Sequence, residues 1–360
     1  MESKERAMAG KLNKRVVLLI LLVVAMVIGY LAVASRGDEA QSGRKLEKVR
    51  VQAGWLLNGE FAQVCTAINR GFYKDEGLDV ELIPGGPSGA NFIVATNALA
   101  QDDSIDIAID GDIIPLLRGK GVEDESKQLK LKAFAAFWKE NPYGFFVRKD
   151  SGINSIEDFT KKKSDGSTVK LGLTADAVVQ DAIAKDQEIS VDDLNIVRVG
   201  FDATPLLTNE VDILGGYWTT QAYELEKANL DYKFISSGEI SGFDQPSMVA
   251  IASEKTLKNR SEMLNKWMKA TVKGAEGVID NPELAAKEIR DKRCGGPLFD
   301  EKQELWMIKK SIPLLKQDRI GQINKKQIEN FSKAYYGIDQ IERAPAFNEL
   351  VDMSVLNSNR

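Results

Sequence analysis

The sequence predicts an α/β fold of two lobes, each built on a mostly parallel sheet, behind one apolar N-terminal segment. Three observations carry this expectation. Between Val49 and Asp112 the apolar spacing switches between a period of two and a period of three to four, the pattern of strand, helix and strand again. The same switching restarts after Tyr143 and runs to Ser236. Ahead of both, Val16 to Ala34 is an unbroken run without charge, flanked by Lys4, Arg6, Lys11, Lys14 and Arg15.

The apolar run is just long enough to span a bilayer, and the basic flank assigns its start to the cytoplasm. It reads as a retained transmembrane anchor, or as a signal peptide cut after the small residues Ala32-Val33-Ala34. Residues 35–47 form a polar linker with Gly37 and Gly43. Val49, Val51 and Ala53 then alternate as a strand, and Phe61, Val64, Ile68 and Phe72 make a helical stripe closed by Gly77. Leu78, Val80 and Leu82 form a second strand. Pro84-Gly85-Gly86-Pro87 is a tight turn, and Ser88 caps a helix expected to run to about Leu99. Ile105, Ile107 and Ile109 complete a third strand. Strands that alternate with helices imply parallel pairing, with ligands at the carboxyl ends of the strands. Those ends are Trp55 to Glu60, Gly85 to Ser88 and Asp110 to Asp112.

Further on, Ile113 to Gly119 reads as a short helix that admits Pro115 in its first turn. Leu131 to Trp138 and Tyr143 to Val147 are strands that carry the chain from the first lobe to the second. The second lobe continues with strands at Val169–Leu173, Asn195–Val199, Val211–Leu214 and Tyr232–Ser236, and Met248 to Ala252 returns to the first. From Glu254 the chain is mainly helical, as the spacing of Met263, Trp267, Ala270 and Gly274 shows. The expected organisation is a cytoplasmic segment at 1–15, the apolar segment at 16–34 and the linker. A first lobe follows at 48–143 and 240–345, with a second lobe at 144–239 and a loose tail at 346–360.

Composition narrows the function. The 360 residues carry a net charge of -5, against a nucleic-acid partner, since phosphate binding needs a basic surface. The chain has no histidine, so the usual general base and the usual transition-metal ligand are missing. Its two cysteines, Cys65 and Cys294, cannot form a local metal knuckle. One disulfide is conceivable in an oxidising compartment, but Cys65 lies beside its helix's apolar stripe, and two buried thiols are the expectation. Neither a metal nor a cofactor is implied.

Three strings carry a resemblance: Trp55 with Phe61-Ala62, the run Gly71-Phe72-Tyr73-Lys74-Asp75-Glu76-Gly77-Leu78-Asp79-Val80, and Pro84-Gly85-Gly86-Pro87. Gly152-Ile153-Asn154-Ser155-Ile156-Glu157-Asp158-Phe159 continues it more loosely. Over roughly residues 48–290 the chain resembles the solute-binding proteins of ABC importers, of the group that binds thiamine pyrimidine precursors or riboflavin within the nitrate/sulfonate/taurine type. The resemblance implies a two-lobed periplasmic-binding-protein-like fold, a small-molecule ligand in the interlobe cleft, an ABC permease as partner and an extracytoplasmic location. It also places Trp55 at the cleft, where its ring can stack on a planar ligand. In that group a histidine often follows the asparagine of this opening; here Asn58 is followed by Gly59 and Glu60. The family's pyrimidine synthases use histidine and a cysteine cluster, both missing here, so an enzyme is not expected.

The candidate ligand residues follow from the strand ends. Trp55 supplies a stacking face, and Phe61, Trp138, Tyr217 or Trp218 a second one. Asn58 can read a ring edge, or serve only as a turn residue. Gly85, Gly86 and Ser88 can bring backbone N–H groups to a ligand, or simply make a turn. Asp110 and Gln221 add polar contacts, although Asp110 is equally a helix cap. No Arg or Lys occurs in Trp55–Gln63, Pro84–Asn91 or Gly215–Gln221, which favours a neutral heterocycle over an anion. An anion binder of the nitrate or sulfonate type, and a sensor reporting to a membrane partner, are the alternatives.

Overall fold

The alternating apolar residues of the first strand, β1 (Glu47–Ala53), are buried between two neighbours. β1 pairs in parallel with β2 (Leu78–Ile83), Val49 opposite Val80, and with β5 (Ile107–Asp110), Val51 opposite Ile107. The computed structural model describes residues 45–88, 91–174, 178–294 and 299–358. The basic segment and the apolar run 16–34 lie outside the described residues. Among those described, no helix is long and apolar enough to cross a membrane.

The first sheet has the order β2-β1-β5-β12-β6, with β6 at Leu131–Trp138 and β12 at Ser247–Ser253. The second has the order β11-β7-β10-β8-β9, from Tyr143–Arg148 (β7), Lys170–Leu173 (β8), Asn195–Arg198 (β9), Ile213–Tyr217 (β10) and Tyr232–Ser236 (β11). Both sheets are mixed, which corrects the expectation of mostly parallel ones. β12 runs antiparallel to β5 and β6, and β7 antiparallel to β10 and β11. The reason lies in the crossings. A chain that leaves one lobe at the carboxyl end of β6 enters the other at its cleft-facing end. Its first strand there, β7, must run away from the cleft; β12 does the same on the return.

The core of the first lobe centres on Trp267, which is fully buried. Its ring lies 6.4 Å from that of Tyr73, 5.8 Å from Phe134 and 6.0 Å from Phe137. The long helix Ser261–Asp280 lies against the helix Ala62–Asn69 so closely that a Cβ on Gly274 would sit 2.0 Å from the Gln63 carbonyl oxygen. Cys65 and Cys294 are bonded as a disulfide across 229 residues, with their Cα atoms 5.7 Å apart. The expectation of two thiols is therefore corrected: the turn Lys292–Cys294 packs onto the Cys65 face of the helix. The expected loose tail also folds back. Leu350, Val351, Val355 and Leu356 are buried, and Val351 bridges to Ala133 of β6.

Ser88 caps no helix. Gly86–Ser88 (β3) pairs antiparallel with Asn91–Ile93 (β4), and the helix begins only at Ala95, running to Gln101. Its first N–H groups find their acceptor on β5, in the side chain of Asp110.

Candidate functional site

The carboxyl ends of β1, β2 and β5 are drawn together by backbone and amide hydrogen bonds. Gly54 N–H donates to the Ile109 carbonyl at 2.8 Å, and Gly85 N–H to the Trp55 carbonyl at 2.9 Å. Gln52 Nε2 donates to the carbonyls of Ile83 and Pro84 at 3.3 and 3.0 Å. Gly85 is fixed by this crowding, because a Cβ there would sit 2.0 Å from the Ala53 carbonyl oxygen. Gly86 takes a positive φ of 72° and passes beneath the Trp55 ring. The two glycines thus shape the turn that supports Trp55, and the Gly85 N–H is already engaged. Ser88 closes the same hairpin.

Above these ends lies a cavity of about 270 Å³ between the two sheets. Of the expected residues, Trp55, Phe61, Asp110, Trp138, Tyr217 and Gln221 line it together. Asn58 does not: it is buried, and its Oδ1 accepts from Glu60 N–H at 3.0 Å, capping the turn Gly59–Phe61. Trp218 does not either; its backbone N–H donates to the Pro142 carbonyl and its ring packs between two cores.

The walls of the cavity are aromatic. Trp55 lies 5.5 Å from Phe92 of β4 and 5.5 Å from Phe201 of the second lobe. Phe92 and Phe201 are 51% and 56% exposed, which marks them as the rim. Trp138 is buried at the end of β6. Gln221 clamps the opposite side, its Oε1 accepting from Tyr217 N–H at 2.8 Å and its Nε2 donating to the Phe201 carbonyl at 2.6 Å.

The polar lining is acidic. Asp110 is committed to the helix behind it: Oδ1 accepts from Ala95 N–H at 3.1 Å and Oδ2 from Thr96 N–H at 2.8 Å. Glu60 accepts from the Thr219 hydroxyl at 3.1 Å, a bond that crosses from one lobe to the other. Burial raises the Glu60 carboxyl above its ordinary value, opposed by its bonds to Thr219 and Asn58. Burial also pushes Asp112 up to about 6, with Asp110 adding to the rise and the Ile114 N–H opposing it. Among the described residues, no Lys or Arg lines this chamber. The half-buried carboxylates of Glu60 and Asp112 beside aromatic rings suit a planar group whose edge donates hydrogen bonds.

Phe92 and Phe201 escaped the sequence reading, and Glu60 and Asp112 fall within its strand-end segments without being among its candidate ligand residues. Phe201 had a signal: a large apolar side chain in the loop Gly200-Phe201-Asp202, with no stripe to join. Among the described residues, no group of His, Cys, Asp and Glu is placed to hold a metal ion.

The structure and sequence have relatives. The formylaminopyrimidine-binding protein of Halalkalibacterium halodurans is 22% identical over 295 residues, covering 78% of this chain and 82% of that protein. The 4-amino-5-hydroxymethyl-2-methylpyrimidine phosphate synthase of Legionella pneumophila is 24% identical over 66% of this chain and 71% of its own. The riboflavin-binding protein RibY of Chloroflexus aurantiacus is 20% identical over 67% of this chain and 65% of its own. The fold is the periplasmic-binding-protein-like α/β fold of the sulfonate-binding protein SsuA from Methylobacillus flagellatus. That structure superposes with a TM-score of 0.60 at 16% identity, covering 88% of this chain and 94% of that one. Residues 58–285 match the model of the NMT1/THI5-like proteins, and the chain belongs to that family.

Proposed function

We propose that this protein captures a planar nitrogen heterocycle, of the pyrimidine-precursor or flavin type, and delivers it to an ABC permease from the outer face of the membrane. The observation that carries this reading is the chamber itself: Trp55, Glu60 and Asp112 line it together, with no cation among the described residues of the lining. A flat ring placed on Trp55 gains about 0.5–1.5 kcal/mol beyond its buried area. Its N–H or amino edge can donate to a carboxylate. A nitrate or sulfonate would meet Glu60, Asp110 and Asp112 there and, among the described residues, no compensating charge, so we place the anion type of the sulfonate and nitrate binders second to the heterocycle.

The pyrimidine-precursor and riboflavin relatives support the ligand class, and the synthase relatives raise catalysis. Catalysis is disfavoured because the chain has no histidine to act as base and its cysteines are joined. The disulfide supports an oxidising, extracytoplasmic location, with 16–34 as anchor or signal.

Calorimetry against riboflavin, a hydroxymethylpyrimidine, nitrate and taurine tests the reading. A heterocycle is expected to bind, and Trp55→Ala to weaken it by about tenfold or more. Tight binding of nitrate or taurine, indifferent to Trp55→Ala, would overturn it.

A further inference from the structure

The aromatic chamber is one of two. A second cavity, also about 270 Å³, opens beside it between the lobes. The two share Asp112, Pro115, Phe201, Tyr217 and Gln221 as a common wall. Either chamber alone falls short of the roughly 300–1,000 Å³ usual for a drug-sized ligand, while the two volumes taken together fall within it. A lone pyrimidine ring leaves the second chamber empty of ligand.

The chemistry of the second chamber differs from the first. It is lined by Asn141, Tyr143, Thr174, Ser237 and Gln245, all neutral and all able to hydrogen-bond. Ser237 and Gln245 are each 7% exposed. Gln245 Oε1 accepts from Ile113 N–H at 3.4 Å, and among the described residues its Nε2 has no partner. Asn141 Oδ1 accepts from Tyr143 N–H at 2.9 Å, leaving its amide donors unassigned among the described residues. The hydroxyls of Tyr143, Tyr217 and Ser237 likewise find no acceptor there. Ser237 and Gln245 are buried and Asn141, Tyr143 and Tyr217 half-buried, so the chamber offers donors and acceptors that a hydroxyl-bearing group placed in it can engage. Among the described residues the one cation of this lining, Arg118, is exposed at the edge, facing Gln340 and the Tyr335 ring. Asp112 stands at the join and repels an anionic arm.

We propose that the ligand is bipartite: a flat ring in the Trp55 chamber and a neutral, hydroxyl-rich arm in the Tyr143–Gln245 chamber. This rests on the heterocycle reading and chooses within it, favouring a ring with a polyol chain over a bare pyrimidine.

The test is calorimetric titration of the full chain with riboflavin, with lumichrome (the same ring without the ribityl arm) and with 4-amino-5-hydroxymethyl-2-methylpyrimidine. Riboflavin is expected to bind at least about tenfold more tightly than lumichrome, two or three hydrogen bonds being enough for that ratio. In Ser237→Ala and Gln245→Met the ratio is expected to shrink while lumichrome affinity holds, which also shows that the variants fold. Equal affinity for the two flavins, or binding of the pyrimidine alone, would overturn the bipartite ligand and leave the heterocycle reading standing. Failure of all three to bind would remove both.

Discussion

Asp112 shows how one side chain serves ligand and fold in opposite senses. Its folded carboxyl titrates at about 6, above the ordinary 3.8. Between those values the folded chain holds a proton that the unfolded chain has lost, so stability falls as pH rises through this window. Above it, the ionised Asp112 is a fixed destabilising charge. Asp112→Asn is therefore expected to raise the melting temperature at pH 7.5 and to leave it unchanged at pH 4, with a gain of about 1 kcal/mol once solvent in the cleft is allowed for. Ligand binding runs the other way. A ring that donates to this carboxylate needs it ionised, so affinity should drop as pH falls below about 6, and Asp112→Asn should bind weakly at every pH. Thermal melts and calorimetry at both pH values check the pair; a pH-flat affinity in the wild-type chain would remove Asp112 from the contact. At this scale the sequence disclosed residues whose position follows from strand ends, such as Trp55, Trp138 and Tyr217. It disclosed the segments that hold Glu60 and Asp112, but not that these two carboxylates face the cavity. A carboxylate in a turn looks the same whether it faces water or a cavity, and only the opposing lobe makes that difference. Asn58 illustrates the converse, a polar residue at the right place whose oxygen is held by Glu60 N–H.

Single elements were legible where the apolar period is local and misread where the stabilising group is distant. The Ser88 cap is the clearest case. Ser88 has the right chemistry, but Asp110, from a strand later in the chain, supplies both oxygens to the helix starting at Ala95. Gly86–Ser88 and Asn91–Ile93 are thereby left to pair with each other, which carries Phe92 to the rim. The disulfide follows the same logic. Nothing local links Cys65 to Cys294, and only the packing of the helix Ala62–Asn69 brings the two within bonding reach. That helix follows directly on the Trp55–Phe61 loop, so the crosslink steadies one wall of the cleft. Protein taken from its own compartment is expected to show no titratable thiol. Cys65→Ser is expected to destabilise the fold by about 2–5 kcal/mol, read by denaturant unfolding. Two free thiols in native protein would contradict both the crosslink and the export reading.

At the scale of the whole molecule, the reversed strands β7 and β12 set both lobes with their crossings at the cleft, the arrangement that lets two rigid bodies close by hinge motion. The contacts between lobes are of two kinds. At the cleft, Trp55 meets Phe201 and Glu60 accepts from Thr219. A second set lies apart from the cavity lining, where the helix Glu301–Leu315 meets the helix Gln221–Lys227. Trp306 Nε1 donates to Glu226 Oε2 at 2.8 Å, and Lys310 Nζ donates to Glu226 Oε1 at 3.0 Å. The Trp306 ring lies 5.4 Å from Tyr223. This strut lies outside the cavity lining and joins the two lobes in the arrangement in which the rim aromatics meet. A ligand's apparent affinity is its intrinsic affinity scaled by the population of the competent state. Hydrogen bonds to a charged group contribute about 1.5 kcal/mol when exposed, so Trp306→Ala should lower that population, by up to about tenfold. The expected result is an affinity weaker by that factor, together with a larger ligand-free radius of gyration by small-angle scattering and a bound-state radius like that of the wild type. An unchanged affinity and an unchanged ligand-free radius would show that the cleft contacts alone hold the lobes together.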